Sequence, residues 1–259
     1  MTMRINWLGI LSYSMLVVLI LPVLLLLYWG LGPFYDSIGI SLQMQKAIIL
    51  SLISSAIAVF FIALLFTPLS YYLSRNRNDV AETLVDLPAM VPHPIIGIAL
   101  LVFDSPLTPT GKFLLGIGIN FFNSLDGMVI ALIIVSAPLY IKSLLSYFDS
   151  MDRAPEYFAR GLGAGVGKVF MQIVLPRSLR GILTASLISL SRAMSEFGSI
   201  AIVAYSILNF FALSGSSAAS VLIYQYYTSF GLKAAVTASA AMIIVAIPIM
   251  IATRILSRR

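Results

Sequence analysis

The 259-residue chain contains no cysteine, a single histidine (His93) and only 10% charged residues. Without cysteine there is no disulfide, no thiolate nucleophile and no thiolate metal ligand, and a lone histidine cannot furnish a multi-histidine zinc site. Zinc, iron–sulfur and cysteine-protease chemistry are therefore disfavoured. A soluble globular domain would carry about 25% charged residues, so the shortage of charge also excludes an ordinary soluble fold. The chain has no Gly-x-x-x-x-Gly-Lys-Ser/Thr loop, the usual backbone cradle for nucleotide phosphates. What is present is apolar: 60% hydrophobic residues and a mean hydropathy of +1.01, the composition of a protein dissolved in lipid. Residues 5–35 carry no charge, a run well beyond the roughly 7–15 residues of a signal-peptide core, and read as a retained membrane anchor.

A helix needs about 20 apolar residues to cross the hydrocarbon layer. Six segments meet or approach that length: 8–28, 47–73, 87–103, 127–145, 183–205 and 234–253. The expected fold is all-α: a polytopic, multi-pass plasma-membrane protein with six transmembrane helices, both termini cytoplasmic and a single domain over residues 1–259. Residues 113–125 are apolar as well, but as a helix they would cover only about 20 Å; they are expected to stay outside the span count as a re-entrant or interfacial piece. In the fourth segment Lys142 is placed to snorkel to an interface.

The basic residues test this topology. With both termini inside, Arg4, Arg75, Arg77, Lys142, Arg153, Arg160, Lys168, Arg177, Arg180, Arg254, Arg258 and Arg259 face the cytoplasm, while Lys46, Lys112 and Lys233 face out and Arg192 lies within a span. Such an inner excess is what membrane insertion imposes, and a seventh span at 113–125 would reverse it for the basic stretch 153–180. The net charge of +6 thus follows topology, and no nucleic-acid partner is expected.

The cytoplasmic stretch 149–180 reads as two short helices. Asp152 can cap the first, Pro155 suits its opening turn, and an amphipathic run through Tyr157, Phe158, Ala159 and Leu162 ends at Gly163. A second run carries Val166, Val169, Phe170 and Ile173 and is expected to stop at Leu175-Pro176. Either lipid headgroups or a partner would cover the apolar stripe. Glu156-x-x-Ala159-Arg160-x-Leu162-Gly163, followed at fixed spacing by Ile173-x-Leu175-Pro176, resembles the signature loop of ABC-importer permeases, in the variant found in molybdate, tungstate and sulfate permeases. Here the glutamate lies one place earlier than in the general consensus, and Phe158 takes an alanine position. The resemblance implies a type I ABC-importer permease fold with its core at about 47–255. It also implies that Glu156 to Gly163 is a coupling helix docking into a cytoplasmic ABC ATPase dimer, with ATP and magnesium held by that partner. The permease itself would hold no cofactor and no metal. Further implied partners are an extracytoplasmic oxyanion-binding protein and a second copy of this chain forming a homodimer in the lipid bilayer.

Two membrane segments carry polar residues. The run Asp86-Leu87-Pro88-Ala89-Met90-Val91-Pro92-His93-Pro94 is expected to form a loosened helix start, because Pro92 and Pro94 remove backbone donors. Such backbone is tolerated at membrane depth only against protein or a water-filled cavity. His93 is then either a structural hydrogen-bonding group or part of a pathway, and Asp86 either an N-cap or a gate residue. In the fifth segment Arg192 and Glu196 lie four residues apart on one helical face, beside Ser195, as a buried structural pair or as residues of a substrate path. Both runs, with Gly97 to Leu101 and Ser195-Glu196-Phe197-Gly198, resemble archaeal tungstate and molybdate permeases, which implies translocation-path or gate roles for Asp86, Pro92, His93, Arg192, Ser195 and Glu196. Tyr224 to Tyr227 read as aromatic-belt residues or as part of a binding-protein docking surface. Competing functions are an importer of sulfate, thiosulfate or another oxyanion, an intramembrane hydrolase using His93 with Ser191 or Ser195, and a channel or secondary carrier.

Overall fold

The structure, a computed structural model, describes residues 7–210 and 213–257; Arg4, Arg258 and Arg259 of the basic tally lie outside them. Among the described residues there is no strand, only an isolated bridge between Ile207 and Ser216. Four helices are long and apolar enough to cross a membrane by themselves: α1 (Trp7–Leu31), α2 (Leu42–Arg75), α6 (Leu125–Ser150) and α13 (Leu232–Ser257). Ser41 and Ser124 start α2 and α6 by accepting the backbone N–H groups of Met44 and Gly127, which satisfies donors that have no carbonyl partner within the first turn.

Helices α2 and α6 run side by side as the centre of the bundle, and α10 (Leu179–Met194) packs across both. Small residues of α2 let neighbouring helices approach it: Ser54, Ser55 and Ala58 are buried, and Ala47 and Ser51 are buried on the side of Ala219, a use of small residues that fits packing in lipid. Helix α1 is peripheral. Its contacts are with α13, where a Cβ added at Gly30 would lie 2.7 Å from the Val236 carbonyl oxygen, and most of its other side chains face outward.

The other two expected spans are bent rather than straight. The third is α3 (Asp79–Met90) followed by α4 (His93–Asp104) at 101°. Pro92 forces the break: it disfavours a helical Val91, which adopts extended backbone, and itself starts α4 as the N-cap. The proline run thus ends one helix and begins another, and α3 starts well before residue 87. Its N-cap is Asn78, not Asp86.

The fifth expected span, 183–205, is also corrected. Helix α10 begins at Leu179 and stops at Met194, and the short helix α11 (Ile200–Val203) follows after a turn. Before it, residues Val166–Arg177 form a helical run that meets α10 at 73°. That run ends at Arg177, one residue beyond the expected stop at Leu175-Pro176, and Ser178 makes the turn into α10. Counting each bent pair as one span gives six. Residues 113–125 do not span, as expected: only Pro109–Gly116 (α5) is helical before the chain loops to Ser124. The connection after residue 206 contains an unforeseen helix, α12 (Ala219–Phe230). It buries Tyr226, whose hydroxyl meets Ser41 Oγ at 2.7 Å, so Tyr226 is a packing residue and not part of an aromatic belt.

Helix α4 is held against α11 at Gly97, where a Cβ would stand 2.7 Å from the Ser199 carbonyl oxygen and 2.9 Å from Ile202 Cβ. Gly97→Val should therefore overpack this contact and destabilise the fold by about 1–3 kcal/mol, read as a lowered midpoint in thermal unfolding of the detergent-solubilised protein.

Candidate functional site

At the end of the bundle formed by the last turns of α2 and α6, helix α7 (Ala154–Gly161) stands out as a small knob. Asp152 Oδ1 accepts the Ala154 N–H at 3.0 Å, and Pro155 occupies the first turn. Gly163 ends the turn with φ +87°, a left-handed conformation that favours glycine. The sequence pattern of this loop is thereby realised, with one exception. Glu156 does not decorate the helix start; it is 3% exposed and points into the bundle.

Its carboxylate is fully engaged. Arg75 donates to both oxygens, from Nη2 to Oε1 at 2.6 Å and from Nε to Oε2 at 3.2 Å, and the Tyr71 hydroxyl donates to Oε2 at 2.8 Å. Arg75 Nη1 also reaches the Phe148 carbonyl at 3.0 Å, tying the knob to α6 as well as α2. Burial would raise the Glu156 carboxyl, but the hydrogen bonds from Arg75 and Tyr71 and the positive charge of Arg75 outweigh it and hold the group below its ordinary value. The Tyr71 ring packs on Phe148 and Phe170, and Val169 and Val174 are fully buried beneath. What this leaves outward is apolar: Tyr157, Phe158 and Leu162, the last 90% exposed. Arg160, Gly163 and Pro176 are exposed too, whereas Ala159, Ile173 and Leu175 are half-buried in the base of the knob.

Deeper in the bundle a second cluster forms where the two bent spans meet. Arg192, in the last turn of α10, places Nη2 2.9 Å from Glu196 Oε2 and 2.8 and 3.0 Å from the His93 ring nitrogens at the start of α4. Arg192 and Glu196 pair as expected, although not on one continuous helix. Glu196 lies in the turn beyond Met194, 1% exposed, and its other oxygen accepts from both the backbone N–H and the hydroxyl of Ser199 at 2.9 Å. The Ser220 hydroxyl donates to the Glu196 carbonyl at 2.6 Å, joining α12 to the cluster. The buried carboxylate is thus satisfied on every side, the condition for a charge to persist in a dry interior.

Of the six residues expected in this region, His93, Arg192, Ser195 and Glu196 come together. Asp86 does not: it lies on α3 and pairs with Lys142 of α6 at 2.7 Å. Pro92 contributes the break that starts α4. The serines do not engage His93 as nucleophiles would, since Ser191 Oγ donates to the Leu187 carbonyl and Ser195 Oγ to the Arg192 carbonyl. A hydrolytic Ser–His pair is therefore not built. No group of three His, Cys, Asp or Glu residues among the described residues is arranged to hold a metal ion. Sequence reasoning missed Tyr71, Ser199 and Ser220 and counted Arg75 only as a topology signal; an arginine closing an apolar span and a glutamate 81 residues later carry no local pattern that pairs them.

The model of the family described as "binding-protein-dependent transport system inner membrane component" matches residues 60–259. A molybdate/tungstate transport system permease protein of Thermococcus kodakarensis is 35% identical over 70% of this chain and 66% of its own length. A counterpart in Methanocaldococcus jannaschii is 30% identical over 80% of each. The chain spans just under two thirds of the Thermococcus relative. A sulfate transport system permease protein of Synechocystis is 25% identical over 95% of this chain and 90% of its own. Among solved structures, a bacterial alginate ABC transporter in complex with its pentasaccharide-bound periplasmic protein shares the fold, with a TM-score of 0.70 at 19% identity over 98% of this chain and 95% of its own.

Glu156→Gln should loosen the knob: its amide hydrogens in Ala154–Gly161 are expected to exchange at least about tenfold faster, since a charge-assisted hydrogen bond contributes about 1.5–3 kcal/mol. The folded carboxyl sits below its ordinary value, so its stabilisation of docking is complete above the usual glutamate range and is lost as pH falls through that range and below. Spin labels on α7 and α2 should give one narrow distance at neutral pH and a broadened distribution on acidification; a narrow distance throughout would show that the ion pair does not hold the knob.

Proposed function

The chain belongs to the family of inner-membrane components of binding-protein-dependent transport systems, and on that premise we propose that it is the permease subunit of an ATP-driven importer of a tetrahedral oxyanion of the molybdate and tungstate type. The observation that carries the reading is the anchored knob. Glu156 spends its charge inward on Arg75, so α7 presents an apolar outer surface of Tyr157, Phe158 and Leu162 on a rigid mount. A surface of that kind suits a cleft on a partner protein, and its mount leads straight to α2 and α6.

In this reading the end of the bundle carrying α7 and the basic residues faces the cytoplasm, with both termini on that side, and stretch 149–180 docks on a dimer of ABC ATPase subunits that hold ATP and magnesium. The permease core, about residues 47–255, pairs with a second copy, and an extracytoplasmic binding protein delivers the anion to the opposite end. Closure of the ATPases displaces α7. Because Arg75 is bonded to Glu156 of the knob and to the Phe148 carbonyl, the displacement is passed to both central helices together. The names of the relatives support molybdate and tungstate; the similarity to the Synechocystis sulfate permease over nearly the whole of both chains supports sulfate as the second reading.

Reconstitution of this chain in liposomes with its ATPase and binding protein tests the proposal. ATP hydrolysis should rise when the binding protein is loaded with tungstate or molybdate, less with sulfate, and not with phosphate; stimulation by sulfate alone would establish the second reading, and stimulation by none would remove the oxyanion assignment. Phe158→Asp should lower the stimulated rate by about tenfold or more, because it buries an unpaired charge in the docking interface, while leaving the spans folded.

A further inference from the structure

At the basic end of the bundle a groove of about 400 Å³ opens between the last turns of α6, the start of α10 and the end of α13. Ser143, Ser146 and Ser150 line it from α6, Arg180 and Thr184 from α10, and Leu256 from α13. The serines follow one another at spacings of three and four residues, and Arg180 and Thr184 at four, so each set occupies one helix face. Gly181 lets the two faces meet, since a Cβ there would collide with the Tyr147 ring. No carboxylate belongs to the lining. Arg180 is exposed and makes no ion pair or side-chain hydrogen bond among the described residues, and neither do the hydroxyls of Ser143, Ser146 and Thr184. The nearby Arg177 differs, because its guanidinium donates to the Asp152 carbonyl.

Deeper in the bundle the same three helices line a second groove, of about 850 Å³. Leu139 lies one turn before Ser143 on α6, Ile188 one turn after Thr184 on α10, and α13 adds Ile251 and Ile255. Helices α6 and α10 run antiparallel, with the Ser189 hydroxyl on the Ser136 carbonyl at one level and Gly181 on Tyr147 at another, so both change from apolar to polar toward the same end. The polar groups of the deeper groove are engaged within the protein: the hydroxyls of Ser191, Ser195 and Thr253 donate to backbone carbonyls, Arg192 bonds to Glu196, and Arg254 has a partner too. What remains on offer there is an apolar wall. A free anion would occupy the polar mouth and leave that wall uncovered. An acyl chain alone would gain little over the surrounding lipid, whose tails are equally apolar, and would leave the guanidinium unused.

We infer that this groove holds an anionic membrane phospholipid, its phosphodiester bonded by Arg180 and the free hydroxyls of Ser143, Ser146 and Thr184, and one acyl chain lying along Leu139, Ile188 and Ile255. A basic, carboxylate-free mouth between transmembrane helices on the positively charged side of a membrane protein is the setting in which anionic headgroups are recognised. The arginine fork matches two phosphate oxygens, the hydroxyls supply further donors, and the positive end of the α10 dipole lies at the same level. Selection among lipids resides in the headgroup, since the chain meets the same apolar surroundings inside the groove and outside it. The inference requires only that the chain is embedded in a bilayer and is independent of the transported substrate. A lipid seated here braces α10 against α6 and α13, beside the helical run that leads back to the knob.

The test is native mass spectrometry of the delipidated, detergent-solubilised full chain, alone and with its ATPase bound, titrated with phosphatidylglycerol and with phosphatidylcholine carrying the same acyl chains. The first phosphatidylglycerol should bind about tenfold more tightly than the first phosphatidylcholine, the equivalent of one charge-assisted hydrogen bond. Arg180→Gln should abolish that preference, and Arg180→Lys should keep part of it because the charge remains but the fork is lost. Lys112→Gln, at an exposed position of α5, should keep all of it. Ser143→Leu combined with Ser146→Leu, which fills the mouth without removing a charge, should weaken phosphatidylglycerol binding severalfold. An unchanged preference in Arg180→Gln, or unchanged binding in the serine double variant, overturns the inference; if Arg180→Gln does not fold, the serine variant decides alone. Inorganic phosphate or tungstate at millimolar concentration should leave the bound lipid in place, and displacement by either would show a site for a free anion and overturn the assignment to lipid. Loss of the lipid when the ATPase binds would show that protein covers the groove, and overturns it as well.

Discussion

Everything at the basic end of the molecule depends on the ion pair between Arg75 and Glu156. A glutamate in a short surface helix would ordinarily stay in water, where an ion pair contributes at most about 1 kcal/mol. Here the carboxylate is buried, and removing either member would strand a charge, at a cost of about 3–5 kcal/mol. The pair therefore acts less as a source of net stability than as a constraint on position: α7 can sit in only one register against α2 and α6. Tyr71 and the Phe148 carbonyl complete the coordination, and the same tyrosine supports Phe170 and the helical run that leads to α10. A helix of eight residues, far too short to be stable alone, is thus fixed to the bundle.

The second buried carboxylate follows the same logic in a different setting. Glu196 lies where α10 has ended and α11 has not begun, a place where backbone and side-chain donors are available. Ser199 supplies two of them, and Arg192 and His93 cover the other oxygen. Broken helices make this possible, since an intact helix would use its own amides internally. The prolines have a corresponding part: Pro92 separates α3 from α4 and so brings His93 to the first position of a helix facing the end of α10. Gly97 and Gly198 permit the approach, the first against Ser199 and the second against Pro94. Irregular backbone and ionisable groups coincide because each satisfies what the other leaves unpaired.

Most of the architecture was legible in the order of the residues. Apolar runs of about bilayer length mark α1, α2, α6 and α13 whatever they pack against, because a helix satisfies its own backbone in lipid. The Pro-His-Pro run announced a break, and the pattern from Glu156 to Gly163 announced a short helix with a glycine stop. The partners were not legible. Arg75 and Glu156 are separated by 81 residues, as His93 and Arg192 are by 99, and nothing local distinguishes an arginine that will pair from one that will face water. Tyr226 looked like its neighbours Tyr224 and Tyr227 yet is buried against Ser41, since only the placement of α12 separates the three.

The sequence by itself determined which segments are apolar enough to enter the membrane, that the third of them breaks at its prolines and which residue types are too costly to leave unpaired there, because hydropathy, proline stereochemistry and charge solvation act over a few residues. Tertiary structure alone decided which of those costly groups meet: that Glu156 turns inward, that Asp86 joins Lys142 rather than the cluster, and that Arg192 stands between a buried carboxylate and an open groove. Those outcomes depend on how α2, α4, α6, α10 and α13 pack, and packing is a property of surfaces that come together only after every helix has formed.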